Sequence, residues 1–261
     1  MSNCAIICNV ENKMNRQGDE WLSQQIFSRY GEIKRARGPF LYTEKGVRLT
    51  DLYQMAGRAI LGWNGGKSRL AFKNTIERGQ TGFFVTHFDH QFEKSCKALF
   101  PDFNSFSFVS SSGKNSSLPV WRPWLPQLDE KVIFESESFV FVPFFPFANE
   151  LYIKASKKSE PDFEGVYVNP ALKAAYTRSI YDLIAELPKR NEDDFSVFDK
   201  TLSKFFVRKG PYLYPLCTPQ DYPDFIELCL DNNVVISSDY ETPSIIPFGA
   251  DYGVLRGLRK A

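Results

Sequence analysis

Histidine is almost missing from this chain, which has 2 of them among 261 residues, His87 and His90. With Asp89 between them their spacing could hold a metal, but no further Cys or His lies nearby, so no metal site is expected. They read instead as polar residues where a helix begins. Cysteine is scarce too: 5, an odd number in a long chain, which argues against a disulfide framework. Cys96 and Cys229 fall on apolar helical positions and read as core. An excess of either charge is also lacking, with 32 basic against 31 acidic residues and a net +1. No general field draws the chain to nucleic acid or to an anionic membrane, so neither is an expected partner. The basic run 33–37 reads as a solvated face. The most apolar stretch, 139–148, is broken by Pro143 and Pro146 and is too short to span a bilayer. No leading basic segment followed by an apolar stretch marks a signal peptide, and a cytoplasmic location is expected. Nucleophile-elbow, Walker and dinucleotide-glycine patterns are absent as well.

Aromatic side chains are in excess: 15% of the chain with 24 phenylalanines, beside 43% hydrophobic and 24% charged residues. Core packing is their plain use, and an aromatic surface closed by a second copy of the chain is the functional one. The length suits one large domain or two modest ones. Apolar periodicity predicts helices over 19–30 (Leu22, Ile26 and Tyr30 on one face, Asp19 as cap), 68–78 with Ser68 as cap, and 89–100 with Asp89 as cap. The clearest helix covers 169–187, where Asn169 caps, Pro170 takes the first position, and Leu172, Tyr176, Ile180, Leu183 and Leu187 form the stripe. Another helix ends near Phe206, and one more covers 222–230 behind Asp221. Strands are expected at 40–42, 105–109, 132–134, 139–142, 150–154 and 234–237. Segment 155–164, rich in Lys, Ser, Glu and Pro, reads as a surface connection. It sets the expected domains at 1–165 and 166–261.

The run Gly38-Pro39-Phe40-Leu41-Tyr42-Thr43-Glu44-Lys45-Gly46-Val47-Arg48-Leu49-Thr50-Asp51 resembles the early motif of class III aminotransferases. Gly62-Trp63-Asn64 stands where that family has a Gly-His pair, with Trp63 in place of the His. The helix before Pro101, then Phe106-Ser107-Phe108 and Ser110-Ser111-Ser112-Gly113, is similar to the family's approach to its phosphate loop. Near the other end, Phe225, Ile226, Leu230 and Pro243-Ser244-Ile245-Ile246-Pro247 resemble its small domain. The resemblance implies a mixed α/β (α+β) chain: a reduced fold type I transferase-like large domain with a C-terminal α/β small domain, paired as a homodimer.

An enzyme of that fold needs a lysine to hold pyridoxal phosphate, an acid facing the pyridine nitrogen, and a phosphate cup. The Asp-Glu-Val stretch that carries the acid in class III is absent from this chain. Ser110, Ser111, Ser112 and Gly113 can cradle a phosphate through hydroxyls and successive N–H groups, or form a plain loop. Lys204, in Thr201-Leu202-Ser203-Lys204, is similar to the Ser-Lys context of related cofactor enzymes. Phe198, Leu202, Phe205 and Phe206 nevertheless keep a helical period that puts Lys200, Lys204 and Arg208 on one polar face. Arg208 can grip a carboxylate or phosphate, with Arg122 as a second hold; alternatively Arg208-Lys209-Gly210-Pro211 is a turn. The expectation is an aminotransferase-like binding or scaffold protein without pyridoxal phosphate catalysis and without a cofactor. One alternative is a small pyridoxal phosphate-dependent transferase using Lys204; another is an enzyme holding a small anionic metabolite between its lobes.

Overall fold

The structure is a computed structural model that describes residues 18–110, 117–159 and 165–258. The chain divides into two compact units, residues 1–56 with 195–261 and residues 57–194, so the second is inserted in the first. The limit expected at residue 165 falls inside the second unit.

The first unit starts with helix α1 (Asp19–Tyr30), which buries Leu22, Ile26 and Tyr30 as the period predicts and stops at Gly31. Gly18, not Asp19, holds the cap position. The Asp19 carboxylate instead accepts from the hydroxyls of Tyr53 and Ser238 at 2.6 and 2.5 Å. Strands β1 (Ile33–Arg37), β2 (Phe40–Thr43) and β3 (Arg48–Asp51) follow as an antiparallel meander. The basic run is therefore a strand: its side chains are largely solvated, but its backbone pairs with β2, which charge alone does not reveal.

In the second unit, helices α2 (Gly66–Glu77), α3 (His87–Leu99), α4 (Gln127–Glu135) and α5 (Pro170–Glu186) accompany a three-stranded antiparallel sheet. Its strands are β4 (Ser105–Ser110), β5 (Ser138–Phe141) and β6 (Leu151–Ser156), in the order β4-β6-β5. Residues 132–134, expected as a strand, lie in α4. Ile133 is buried there and half-buried Phe134 packs against the Phe100 and Phe139 rings, while Asp129 and Glu130 sit in the first turn, where the helix dipole favours them. Thr86, not Asp89, caps α3; Asp89 returns the contact as the acid of a capping box. His87 and His90 are exposed on that first turn. No group of three or more His, Cys, Asp or Glu among the described residues could hold a metal.

The phenylalanines pack the core of this unit. Phe100 meets Trp121, Phe139 and Phe141 with ring centroids 4.8, 4.9 and 5.1 Å away. Phe92 stacks on Phe108 at 4.5 Å, and Phe108 reaches Tyr176 at 5.7 Å, tying α3, the sheet and α5 together. Helix α5 starts as predicted: the Asn169 side chain accepts from the Leu172 N–H at 2.9 Å and Pro170 follows. Ala171, Ala175, Tyr176, Ile180 and Leu183 are all buried along it. The Tyr176 hydroxyl accepts from the Asn149 amide at 2.7 Å, and burial pushes its pKa up to about 12.

The chain returns to the first unit through α6 (Glu192–Ser196) and α7 (Asp199–Leu202). Phe206 then starts β7 (Phe206–Lys209), which turns at Gly210 into β8 (Tyr212–Pro215). The helix expected to run to Phe206 ends at Leu202, because Arg208 is drawn back onto Asp199 by the hairpin. Helix α8 (Tyr222–Asp231) leads to β9 (Val234–Val235), which pairs parallel with β3. Asp221 holds the cap position of α8, as expected, though its side chain makes no cap bond. β10 (Ser244–Ile245) joins β8. No described helix is long and apolar enough to cross a membrane.

Two stability measurements check this packing. Phe100→Ala is expected to cost about 4 kcal/mol in urea unfolding, because it opens a cavity among the five aromatic rings that contact Phe100. Burial alone would raise the Asp89 carboxyl, but the Lys173 ammonium and the Thr86 N–H outweigh it and hold its pKa below the ordinary value. Its contribution is thus present above the ordinary carboxylate range and lost as pH falls through the lowered pKa. Asp89→Ala should cost about 1 kcal/mol near neutral pH, and the difference from wild type should shrink in urea titrations as the pH falls below the ordinary carboxylate range and through the lowered pKa.

Candidate functional site

The second unit carries a cleft of about 530 Å³ between the start of α2 and the C-terminal half of α5. One wall is Gly65, Gly66, Lys67 and Ser68; the other is Arg178, Asp182 and Glu186, continued by Lys189 and Arg190. Phe144 supplies an apolar surface between them.

The α2 wall owes its form to a glycine pair. Gly65 and Gly66 both take positive φ, 62° and 46°, a backbone open to glycine and strained for other residues. A Cβ on Gly65 would lie 3.1 Å from the Phe145 ring, whereas one on Gly66 would meet nothing within 4 Å. The helix therefore begins two residues before Ser68. Ser68, expected to be its cap, is the third helical residue, and no side chain caps the helix at all. The first ladder bond runs from the Arg69 N–H to the Gly65 carbonyl. The N–H groups of Gly66, Lys67 and Ser68 are thus left without acceptors, as at any uncapped helix start.

Ser68 is 2% exposed and lines the cleft, and the buried Thr75 hydroxyl of the same helix donates to the Ala71 carbonyl at 2.8 Å. Among the described residues, the buried hydroxyl that makes no hydrogen bond belongs to Thr177 on α5. The charges of the cleft are uneven as well. On the α5 wall Arg178 pairs with Asp182 at 2.6 Å, and Glu186 is shared by Lys189 at 2.8 Å and Arg190 at 3.9 Å. Lys67 has no ion pair among the described residues, which leaves the cleft with more cationic than anionic groups.

The side chains singled out from the sequence lie elsewhere. Lys204 is exposed on the turn between α7 and β7, not on a helix face. Arg208 donates to both oxygens of Asp199, at 2.6 and 2.8 Å, and to the Gly210 carbonyl at 2.8 Å. Its guanidinium is thereby engaged in holding the β7–β8 hairpin. Arg122 is half-buried in the second unit and has interactions of its own. Ser110 ends β4, while Ser111, Ser112 and Gly113 lie outside the described residues.

The donor set was also tested against pyridoxal phosphate. No described lysine is buried. Of the half-buried ones, Lys173 is tied to Asp89 and lies over the Tyr167 ring, and Lys157 donates to the Phe134 carbonyl at 2.8 Å. Lys154 is likewise engaged. The buried carboxylate is Asp51, whose Oδ1 accepts from the N–H groups of Tyr53 and Gln54, both at 2.9 Å, and so closes a turn. An enclosed lysine facing a free carboxylate is not assembled among the described residues.

These elements have the fold of the type I pyridoxal phosphate-dependent aminotransferases of class III, with a reduced large domain. Ornithine δ-aminotransferase of Plasmodium falciparum superposes with a TM-score of 0.63 at 10% identity, over 91% of this chain and 96% of that one. Acetylornithine aminotransferase from Elizabethkingia anophelis gives 0.59 at 9% identity, over 92% of this chain and 98% of that one. At such identities the likeness is one of fold. In sequence, an uncharacterized protein of Treponema pallidum (strain Nichols) is 25% identical over 285 residues, spanning 85% of this chain and 91% of the relative. No protein-family model matches the chain.

The role given to Arg208 is open to a double-mutant cycle. Arg208→Ala and Asp199→Ala should each cost about 1 kcal/mol, a value held low because Asp199 is partly solvated. The double variant should cost little more than either one in urea unfolding.

Proposed function

We propose that this protein is an aminotransferase-fold binding protein that does not carry out pyridoxal phosphate chemistry and takes a small molecule in the cleft between α2 and α5. One observation carries the reading: the lysines of the described residues are exposed or already engaged, while the cleft offers a volume of about 530 Å³ with more cationic than anionic side chains on its walls. Covalent catalysis on the coenzyme depends on a lysine held out of water, where its amine loses its proton readily. The exposed turn at Lys204 supplies no such setting.

The same reading makes the protein a homodimer, as its fold resemblance implies. Phe83, Phe84 and Val85 form an apolar run exposed by 87%, 50% and 90%, the kind of patch that a subunit contact covers. Light scattering should give twice the chain mass, and Phe83→Asp with Val85→Asp should shift it towards a monomer.

Catalysis is tested by incubation with pyridoxal phosphate, borohydride reduction and mapping of labelled lysines. The expected result is no stoichiometric label that an added amino donor prevents. Such a label, at Lys204 or any other lysine, would make the protein a transferase and end this reading.

A further inference from the structure

We propose that Arg58, together with Tyr176, forms a buried site for one small monovalent anion, apart from the α2–α5 cleft. Arg58 stands between β3 and α2, in the second unit, and is 7% exposed. A charged side chain so deeply buried ordinarily meets an opposite charge. Arg58 makes no ion pair among the described residues, and its Nε–H is buried without an acceptor. Its guanidinium donates from Nη2 to the Leu151 carbonyl at 2.9 Å and lies 5.7 Å from the centre of the Tyr152 ring. A carbonyl dipole and a ring face ease the burial of a cation, but neither carries a counter-charge.

Tyr176 supplies the second donor. Its hydroxyl accepts from the Asn149 amide at 2.7 Å, and the orientation of that amide is fixed because its oxygen accepts from the Leu151 N–H at 3.1 Å. The phenolic proton therefore has no acceptor among the described residues. Burial is the larger influence on the phenol and raises its pKa; the Asn149 bond and then the Arg58 charge act against it. Guanidinium and phenol thus lie within electrostatic reach of each other, and Arg58 is the one charge felt there. Water would satisfy the N–H and O–H groups but leave that charge uncompensated, whereas a single monoanion does both. A dianion would reverse the imbalance. Chloride and the carboxylate end of a small ligand share the chemistry required, one negative charge with lone pairs for an N–H and an O–H. Neither Arg58 nor Tyr176 lines the α2–α5 cleft, so this site stands whether or not the cleft is occupied.

The test follows thermal unfolding while gluconate, a bulky anion, is replaced at constant ionic strength by chloride, formate or acetate. The unfolding temperature should rise saturably with the small anions. Response to chloride identifies the occupant as a halide; response to formate and acetate without chloride identifies it as a ligand carboxylate. Arg58→Met, which keeps the length of the side chain and removes its charge, should abolish the response. In gluconate this variant should be at least as stable as wild type, because an uncompensated buried charge is gone. An arginine that only braces the Leu151 carbonyl gives the opposite pattern, a less stable variant and no saturable anion response in wild type. Tyr176→Phe, which keeps the ring, should weaken anion affinity about threefold. Absence of a saturable response in wild type, or an unchanged response in Arg58→Met, would overturn the assignment. Should Arg58→Met fail to fold, wild-type anion affinity in Tyr176→Phe does so instead. The lysine-labelling test of catalysis is independent of each of these outcomes.

Discussion

The burial of α5 is the constraint on which the second unit depends. A surface helix hides one stripe, but α5 hides residues around most of its circumference, from Ala171 through Ala175 and Ser179 to Leu183. It therefore has to be enclosed: α2 and α3 pack on it, and Tyr176 meets Phe108 of the sheet. Small residues at Ala174, Ala175 and Ser179 let its neighbours approach, and the Ser179 hydroxyl is satisfied within the helix by the Tyr176 carbonyl at 2.9 Å. With α5 held, its solvent-facing C-terminal half can only present Arg178, Asp182 and Glu186 along the edge of α2.

The cleft follows from how α2 starts. A serine or aspartate cap would have consumed one of the free N–H groups, and a single glycine would have left the turn less open. Two consecutive left-handed glycines start the helix early and carry Ser68 into its first turn, where it is buried. Beside it stand the positive end of the helix dipole and the Lys67 ammonium, which has no ion pair among the described residues.

The superposition on aminotransferases extends over most of the chain at identities near one residue in ten, so the likeness is one of backbone arrangement and says nothing of individual side chains. Arg208 illustrates the consequence. A guanidinium free to grip an anion needs an uncommitted fork, but both oxygens of Asp199 and the Gly210 carbonyl take up this one. It shapes a hairpin, and the cationic surplus of the molecule's cleft comes from Lys67 instead.

Periodicity made α1, α3, α5 and α8 legible because each has an apolar stripe at helical spacing and a recognisable start or stop, as with Asn169-Pro170 and Gly31. The Phe106–Phe108 alternation and the Glu44–Gly46 turn made β4 and the β2–β3 hairpin legible in the same way. Residues 132–134 and 198–206 were not, since three apolar residues fit a strand or a helix, and an Asp199–Arg208 ion pair nine residues apart leaves no mark on local pattern. Class and fold family could be read from the chain alone because they depend on spacing that neighbours in sequence already carry. The cleft could not. Gly65-Gly66-Lys67-Ser68 was open to reading as paired glycines before a helix, but Ser68 looks like a cap until the backbone dihedrals are known. Only the tertiary structure brings residues 65–68 against 178–190, because that juxtaposition is set by helix packing across more than a hundred residues of chain.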